Sequence, residues 1–342
     1  MIAEGGLPLR NSPSSVAVIG HDAGAVSLGY QLLSPEPHDL QDMKRFVLHS
    51  SSPLRRFPDN SGKENFIHLA RILQCNAVHD ANKVDCLREK SVESLLQASE
   101  AIQATSPVFV PSFGTHLLPS TELLSLPSRI SGKQFLLVNV RDEGSYFLQL
   151  LVQRLRHGNY VNTEAVHRYI LQLLAILGIG DHAQSIRAMY ANVTSDSELG
   201  VWCSILGDVL FVCPMQYLAK YLVAAGNSVK VMVFGQRPSW KDTTTSGYGD
   251  DLSFLFGIPL LPSGSGTSDE REFSVTVIKY WSTFVKTGTL PKLINGEQWP
   301  DLRSTSPLAT VELKMDGARL LEPPFRTKQC DALQHILLQP RG

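Results

Sequence analysis

The sequence predicts an α/β protein with a mostly parallel sheet flanked by helices. Three observations predict it. Short apolar runs alternate with stretches of helical hydrophobic spacing. The apolar runs contain no regular polar positions, as is typical of strands buried in a parallel sheet. Gly or Pro residues separate the apolar runs from the helical stretches. The 342 residues are 43% hydrophobic and 18% charged, which is enough apolar material for a sizeable core. Because no internal repeat or clear boundary interrupts the pattern, we expect a single domain over residues 1–342.

The first unit of the pattern is a strand, a tight turn and a helix. Residues 15–19 form a β-branched apolar run that ends in Gly20, and residues 25–33 have helical spacing up to Pro35. The later predicted strands are 46–48, 135–140 and 228–234. The later predicted helices are 64–73, 92–103, 145–155, 163–177, 182–190, 210–225, 275–287 and 326–338.

Composition excludes several classes of function. The formal net charge is -1, from 31 Lys plus Arg against 32 Asp plus Glu, and there is no basic run with interleaved aromatics, so we expect no nucleic-acid partner. The longest apolar stretch, 169–180, is too short to cross a bilayer, so we expect no membrane span. Residues 1–11 lack the pattern of a signal peptide.

The five cysteines show no CxxC pair and no Cys/His cluster, so we expect no metal site and no other cofactor. Spacing alone leaves open whether these cysteines are disulfide-bonded or buried thiols. They are Cys75, Cys86, Cys203, Cys213 and Cys330.

The turn after the first strand has the context of a nucleophile elbow. In the elbow motif G-x-S-x-G, the central residue lies on a strained turn between a strand and a helix. Here the segment is Gly20-His21-Asp22-Ala23-Gly24, with an aspartate at the centre. Taken alone the motif is weak, since most such segments are ordinary strand-to-helix loops.

A longer series of motifs makes the similarity specific. The series resembles type-B carboxylesterases and cholinesterases, with neuroligin-type adhesion proteins among the relatives, and it covers nearly the whole chain in order. This resemblance implies an α/β-hydrolase fold. Its motifs are the elbow segment 15–27, Leu32-Leu33-Ser34-Pro35, the segment 44–53 ending in Ser50-Ser51-Ser52-Pro53, Cys86-Leu87-Arg88-Glu89-Lys90, Phe109-Val110-Pro111, Arg141-Asp142-Glu143-Gly144-Ser145-Tyr146-Phe147-Leu148, Gly207-Asp208, Cys213-Pro214 and the block 254–260.

The resemblance also implies a degenerate catalytic triad. Asp22 stands at the position of the nucleophilic serine, Glu143 at the intact acidic position, and Tyr248 at the position of the general base. Shifting the match to the family by a few residues does not bring a histidine to this position, because no histidine lies between His182 and His335. A phenol with a pKa near 10 is a poor base, and losing one key triad member costs roughly 10⁶-fold in turnover. We therefore expect no ester hydrolysis.

Other roles for these residues stay open at this stage. Asp22 could attack an alkyl carbon and form an ester, as aspartate nucleophiles do on other α/β-hydrolases, but hydrolysis of that ester would again need a base. His21 is expected to point away from Asp22, either under the sheet or into solvent. Glu143 is expected to remain as a carboxylate bonded to backbone amides or to Tyr248.

The family's chains extend further at the N-terminus, where they carry several sheet strands and an oxyanion loop. Gly5-Gly6 matches a turn before the elbow strand and not that loop, so of the oxyanion donors only the amide of Ala23 is expected here. The fold is then expected to lack the N-terminal strands and to leave the elbow strand at a sheet edge. Our hypothesis is a truncated isoform or an incomplete gene model.

The resemblance pairs Cys75 with Cys86 and Cys213 with Cys330, and it leaves Cys203 free. Disulfides indicate an oxidising compartment, and Asn192-Val193-Thr194 is a glycosylation sequon. We therefore expect a protein that is secreted or at the extracellular face of the cell surface, with an extracellular protein partner.

A homodimer through helices 275–287 and 326–338 is a further expectation, although their apolar faces suit an ordinary core equally well.

The favoured function is that of a catalytically inactive binding or adhesion protein. The alternative is a carboxylic ester hydrolase, similar to acetylcholinesterase, that is active in a longer form. A non-functional gene product is the third possibility. A fluorophosphonate probe and a choline thioester separate the first two, because only an active esterase would be labelled or turn over.

Overall fold

The structure is a computed structural model, and it describes residues 16–34, 39–57, 62–103, 109–118, 130–157, 160–191, 197–243, 245–302 and 308–339. It confirms the predicted α/β class. A six-stranded sheet has the spatial order β1-β2-β3-β6-β7-β8 and is parallel except for the final β7–β8 pair. Its strands are β1 (Ala17–His21), β2 (Arg45–His49), β3 (Gln134–Val140), β6 (Ser228–Phe234), β7 (Thr310–Lys314) and β8 (Gly317–Leu320), and β4 (Arg156–His157) and β5 (Tyr160–Val161) form a separate small ribbon.

Twelve α-helices are present in the described residues. They are α1 (Ala23–Leu33), α2 (Gly62–Ile72), α3 (Asp80–Arg88), α4 (Val92–Gln103), α5 (Ser145–Arg154), α6 (Thr163–Ile176), α7 (Ala183–Met189), α8 (Glu198–Gly207), α9 (Cys213–Ala224), α10 (Asp250–Leu255), α11 (Ser268–Thr287) and α12 (Thr327–Leu337). Most predicted helices are confirmed within two residues. The predicted helix 210–225 is wrong at its start, because α8, a π-helical turn over 208–212 and α9 follow one another without a break.

Helices cover both faces of the sheet because its strands are apolar on both sides. Phe46 and Leu48 on β2 pack with α1 and α9, whereas the intervening Val47 packs with α11 on the other face. This alternation follows from the two-residue period of a strand. Because both faces are buried, the central strands are almost continuously apolar, as the sequence predicted.

Strand β1 is an edge of the sheet in the described part of the chain. It pairs with β2 on one side, with Gly20 opposite Leu48, and Ile19 is 47% exposed. Side chains that would protect an edge, such as Lys or Pro, are absent from Ala17–His21. The expectation that the elbow strand is an edge is therefore met within the described residues.

Within the described residues, one helical stretch is long and apolar enough to cross a membrane. It runs from Glu198 to Ala224, and 78% of its apolar window is buried inside the protein. It corrects the expectation that 169–180 is the longest apolar stretch. Core helices of this length pass the same test, so the absence of a membrane span stays a prediction.

Two disulfides join Cys75 to Cys86 and Cys213 to Cys330, and Cys203 is a buried free thiol. These are the pairings that the resemblance implied. The predicted glycosylation site Asn192 lies outside the described residues.

The helices expected to form a dimer interface bury much of their apolar faces within this chain. Trp281 and Phe284 on α11 belong to the core, as do Leu333 and Ile336 on α12. Any dimer would therefore have to use other residues of these helices, and the homodimer stays a prediction.

Candidate active site

The turn between β1 and α1 has the geometry of a nucleophile elbow. Asp22 has φ 47° and ψ -113°, a strained conformation for a residue with a side chain. The turn is fixed on both sides, since the Asp22 amide donates to the His49 carbonyl at 3.0 Å and the Asp22 carbonyl accepts from Val26 N at 2.9 Å. The sequence placed Asp22 at the centre of this turn, and the structure confirms that position.

The two glycines of the elbow have different roles. A Cβ on Gly20 would lie 2.6 Å from the carbonyl carbon of Gly24, whereas a Cβ on Gly24 would meet no atom within 4 Å. Only Gly20 is therefore required by the close approach of strand and helix.

We expect Gly20→Ala to destabilise the protein by roughly 2–3 kcal/mol, because the clash is with backbone that cannot move aside. The matched Gly24→Ala should leave stability unchanged or raise it by about 0.5–1 kcal/mol, because alanine favours the helix. Urea unfolding of both variants measures the difference. Equal stability of the two would contradict the tight turn.

The carboxylate of Asp22 is held by an ion pair that the sequence did not predict. Its Oδ1 accepts from Arg55 Nη1 at 2.9 Å, and the two side chains are 32% and 15% exposed. The Arg55 guanidinium lies over the ring of Phe211 at 4.7 Å and near the rings of Phe57 and Phe147 at 5.6 and 5.7 Å. Charge and aromatic contacts thus hold this arginine beside the elbow.

Tyr248 lies next to Asp22, at the position where a base would be expected. A bridge between Asp142 and Gly247 fixes its loop beside the end of β3. The Tyr248 ring stacks on Tyr146 at 5.3 Å. Burial raises the pKa of Tyr248 well above its usual range, and the nearby Asp22 carboxylate raises it further. The phenol is therefore protonated at neutral pH and cannot act as a general base.

Glu143 is fully enclosed behind this pair. Its Oε1 accepts from Asn139 Nδ2 at 2.8 Å and from Val140 N at 3.0 Å, and the nearby Ser50 hydroxyl acts to lower its pKa. Burial raises the pKa of Glu143 to about 8. One of its bonds is to a backbone amide, as expected. Desolvation penalises the charge, so burial favours the neutral acid over the carboxylate.

Two histidines lie close to the elbow. His49 is completely buried, with Nδ1 2.6 Å from Asp251 Oδ2 and Nε2 accepting from Trp281 Nε1 at 2.9 Å. Because the indole can only donate, Nε2 of His49 carries no proton, and its lone pair is already used. His49 therefore cannot serve as a base for Asp22.

His21 is closer to the site than its place before Asp22 suggested. Its ring is 5.0 Å from that of Tyr248 and 6.4 Å from that of His49, and the residue is partly buried. Burial lowers the pKa of His21, against the opposing charge of Asp251. His21 lies opposite His49 in the strand register, and the expectation that it lies under the sheet or in solvent stays a prediction.

The comparison with known proteins agrees with this geometry. A model of the carboxylesterase family matches residues 11–332. The chain belongs to the carboxylesterase family. It is 27% identical to the acetylcholinesterase of Bungarus fasciatus over 96% of this chain and 57% of that protein. It is 26% identical to acetylcholinesterase-1 of Trittame loki over 93% of this chain and 60% of that protein.

The carboxylesterase-family chain thus spans less than two thirds of the length of these curated relatives. Within it, the structure brings together Asp22, Glu143 and Tyr248, the three positions that the resemblance had identified. The amide of Ala23 is at the first position of α1, where helix amides lack an intrahelical acceptor. In the described residues, no group of three or more His, Cys, Asp or Glu side chains is suited to a metal ion.

Proposed function

We propose that this carboxylesterase-family protein does not hydrolyse esters and acts as a secreted or cell-surface binding or adhesion protein. One observation carries the proposal: a carboxylate, ion-paired to Arg55, occupies the turn where a serine hydroxyl would attack, and a protonated phenol faces it. Neither group can generate a nucleophilic alkoxide. The two disulfides support an oxidising compartment.

The direct test is reactivity at the elbow. We expect no labelling by a fluorophosphonate probe and no turnover of a choline thioester above the heat-denatured control, with an active carboxylesterase assayed in parallel. Asp22→Ser should also remain unlabelled, because the added hydroxyl still has no base. A covalent adduct on the unaltered protein would overturn the proposal.

The alternative is a carboxylic ester hydrolase that is active in a longer form. The strained elbow and the bonds from Asn139 and Val140 to Glu143 favour it, since these parts of the hydrolytic machinery are retained. Turnover by a longer form that carries the same Asp22 and Tyr248 would support this alternative.

The binding role is tested separately from catalysis. We expect tagged protein to bind an extracellular protein partner in a saturable manner, and excess untagged protein to compete. Mass analysis of secreted protein would show whether Asn192 carries a glycan, and light scattering would test the homodimer. Absence of stable secreted protein would instead indicate a non-functional gene product.

A further inference from the structure

A cleft of about 580 Å³ opens beside the elbow, within the size range of small-molecule sites. Most of its lining is apolar or aromatic, from α1, from the turn after β2 and from the segment 109–118. Val26, Tyr30, Phe57 and Leu118 are among these residues. Such a surface, next to a few polar groups, is typical of a ligand site.

The charged groups that line the cleft cancel each other. Among its lining residues only Asp22 and Arg55 carry a formal charge, and they are joined by the 2.9 Å ion pair. The remaining polar side chains in the lining carry hydroxyl groups, including those of Ser27 and Thr115. The cleft therefore presents no net charge to a ligand.

The position of Arg55 also opposes a cationic ligand. A cation bound in an aromatic cleft is stabilised by ring faces. Here the Arg55 guanidinium already lies near Phe57, one of the rings that line the cleft, so a second cation bound at this ring would meet a positive charge. An anion would in turn meet the Asp22 carboxylate. Both kinds of charged ligand would have to displace an existing partner.

We propose that this cleft binds an uncharged, mainly hydrocarbon or aromatic molecule with a few hydroxyl or carbonyl groups, and that the Asp22–Arg55 pair sets this selectivity. This proposal specifies the ligand of the binding role and rests on the proposed function. It would place its apolar part against Val26 and Leu118 and its polar group near Ser27 or Thr115.

The test uses three fluorescent probes of similar ring size and different charge. They are phenylnaphthylamine, which is neutral, anilinonaphthalene sulfonate, which adds one negative charge to the same skeleton, and the cation methylacridinium. We expect the neutral probe to bind at least about tenfold more tightly than either ion, which corresponds to roughly 1.4 kcal/mol. Equal or tighter binding of either charged probe would overturn the proposal.

Two variants should change the charge preference of the cleft, one towards anions and the other towards cations. Asp22→Asn leaves Arg55 without its carboxylate and should strengthen binding of the sulfonate about tenfold, whereas Arg55→Met leaves Asp22 unpaired and should do the same for methylacridinium. Near-ultraviolet circular dichroism confirms that each variant keeps its tertiary packing, because partly folded states also bind such dyes. Unchanged charge preference in both folded variants would rule out the role of the pair.

A third variant locates the probe. Ser27→Trp on α1 should fill the cleft and weaken binding of phenylnaphthylamine at least about tenfold, whereas Gln184→Trp on the exposed side of α7 should leave it unchanged. If Ser27→Trp has no effect, the cleft is not the site. None of these binding measurements depends on ester hydrolysis. Esterase activity would refute the proposed function and leave the ligand proposal standing. Failure of the neutral probe to bind in the cleft would refute the ligand proposal and leave the absence of ester hydrolysis standing.

Discussion

Replacement of Cys213 and Cys330 by serine is expected to lower the free energy of unfolding by about 4–5 kcal/mol. The reason is the length of chain that this disulfide closes, because cross-linking residues 117 positions apart removes much of the conformational freedom of the unfolded state. Both sulfurs lie in the core between α9 and α12, so the loss is measured by urea unfolding of the double variant.

The second disulfide is a matched control. Cys75 and Cys86 are only 11 positions apart, so their replacement by serine should cost less, about 3 kcal/mol in the same entropic description. We expect the two double variants to differ in unfolding midpoint in that order. If the short loop costs as much as the long one, native-state contacts of the sulfurs, and not loop closure, determine the stabilisation.

Local sequence signals identified much of the fold. The apolar runs of β2, β3 and β6 and the spacing of α4 and α12 are strong patterns, and their bounds were predicted closely. The start of α11 was missed because residues 268–274 are mainly polar. A signal was present there, since Thr267 and Glu270 form a capping box in which each side chain accepts from the other residue's backbone amide.

Other elements had no comparable signal. Strands β7 and β8 were not predicted, since only five and four residues form them and the antiparallel pairing depends on the neighbouring β6. The π-helical turn between α8 and α9 was also missed, because its backbone geometry has no hydrophobic period of its own.

In the candidate site, too, some residues had a sequence signal and others had none. Motif order identified Asp22, Glu143 and Tyr248, because the family keeps these positions at fixed places along the chain. Arg55 could not be found in this way, since its contact with Asp22 depends on the path of the turn after β2. The bond between His49 and Asp251 joins residues 202 positions apart, and nothing in the sequence near either residue indicates it.

Glu143→Gln is expected to stabilise the protein, and increasingly so as pH rises from about 5 to about 8. The folded pKa of Glu143 is about 8, whereas an unfolded glutamate has a pKa of about 4.5. Between these values the folded state holds a proton that the unfolded state has lost, so the stability of the unaltered protein falls as pH rises. Glutamine does not titrate, and the gain should approach about 1.4 kcal/mol per pH unit, a few kcal/mol in all.

Glu270→Gln provides a control of opposite sign. Burial acts to raise the pKa of Glu270, but hydrogen bonds from Ser239 and Thr267 lower it overall. A lowered pKa stabilises the fold at neutral pH, and this contribution is lost in acid. Glu270→Gln should therefore weaken the protein at pH 7 and have a smaller effect below about pH 4.5. Urea unfolding of both variants from below about pH 4.5 to about pH 8 distinguishes the contributions of the two carboxyl groups to stability. A constant difference between Glu143→Gln and the unaltered protein would show that Glu143 is ionised in the fold, and the elbow would then face a second negative charge.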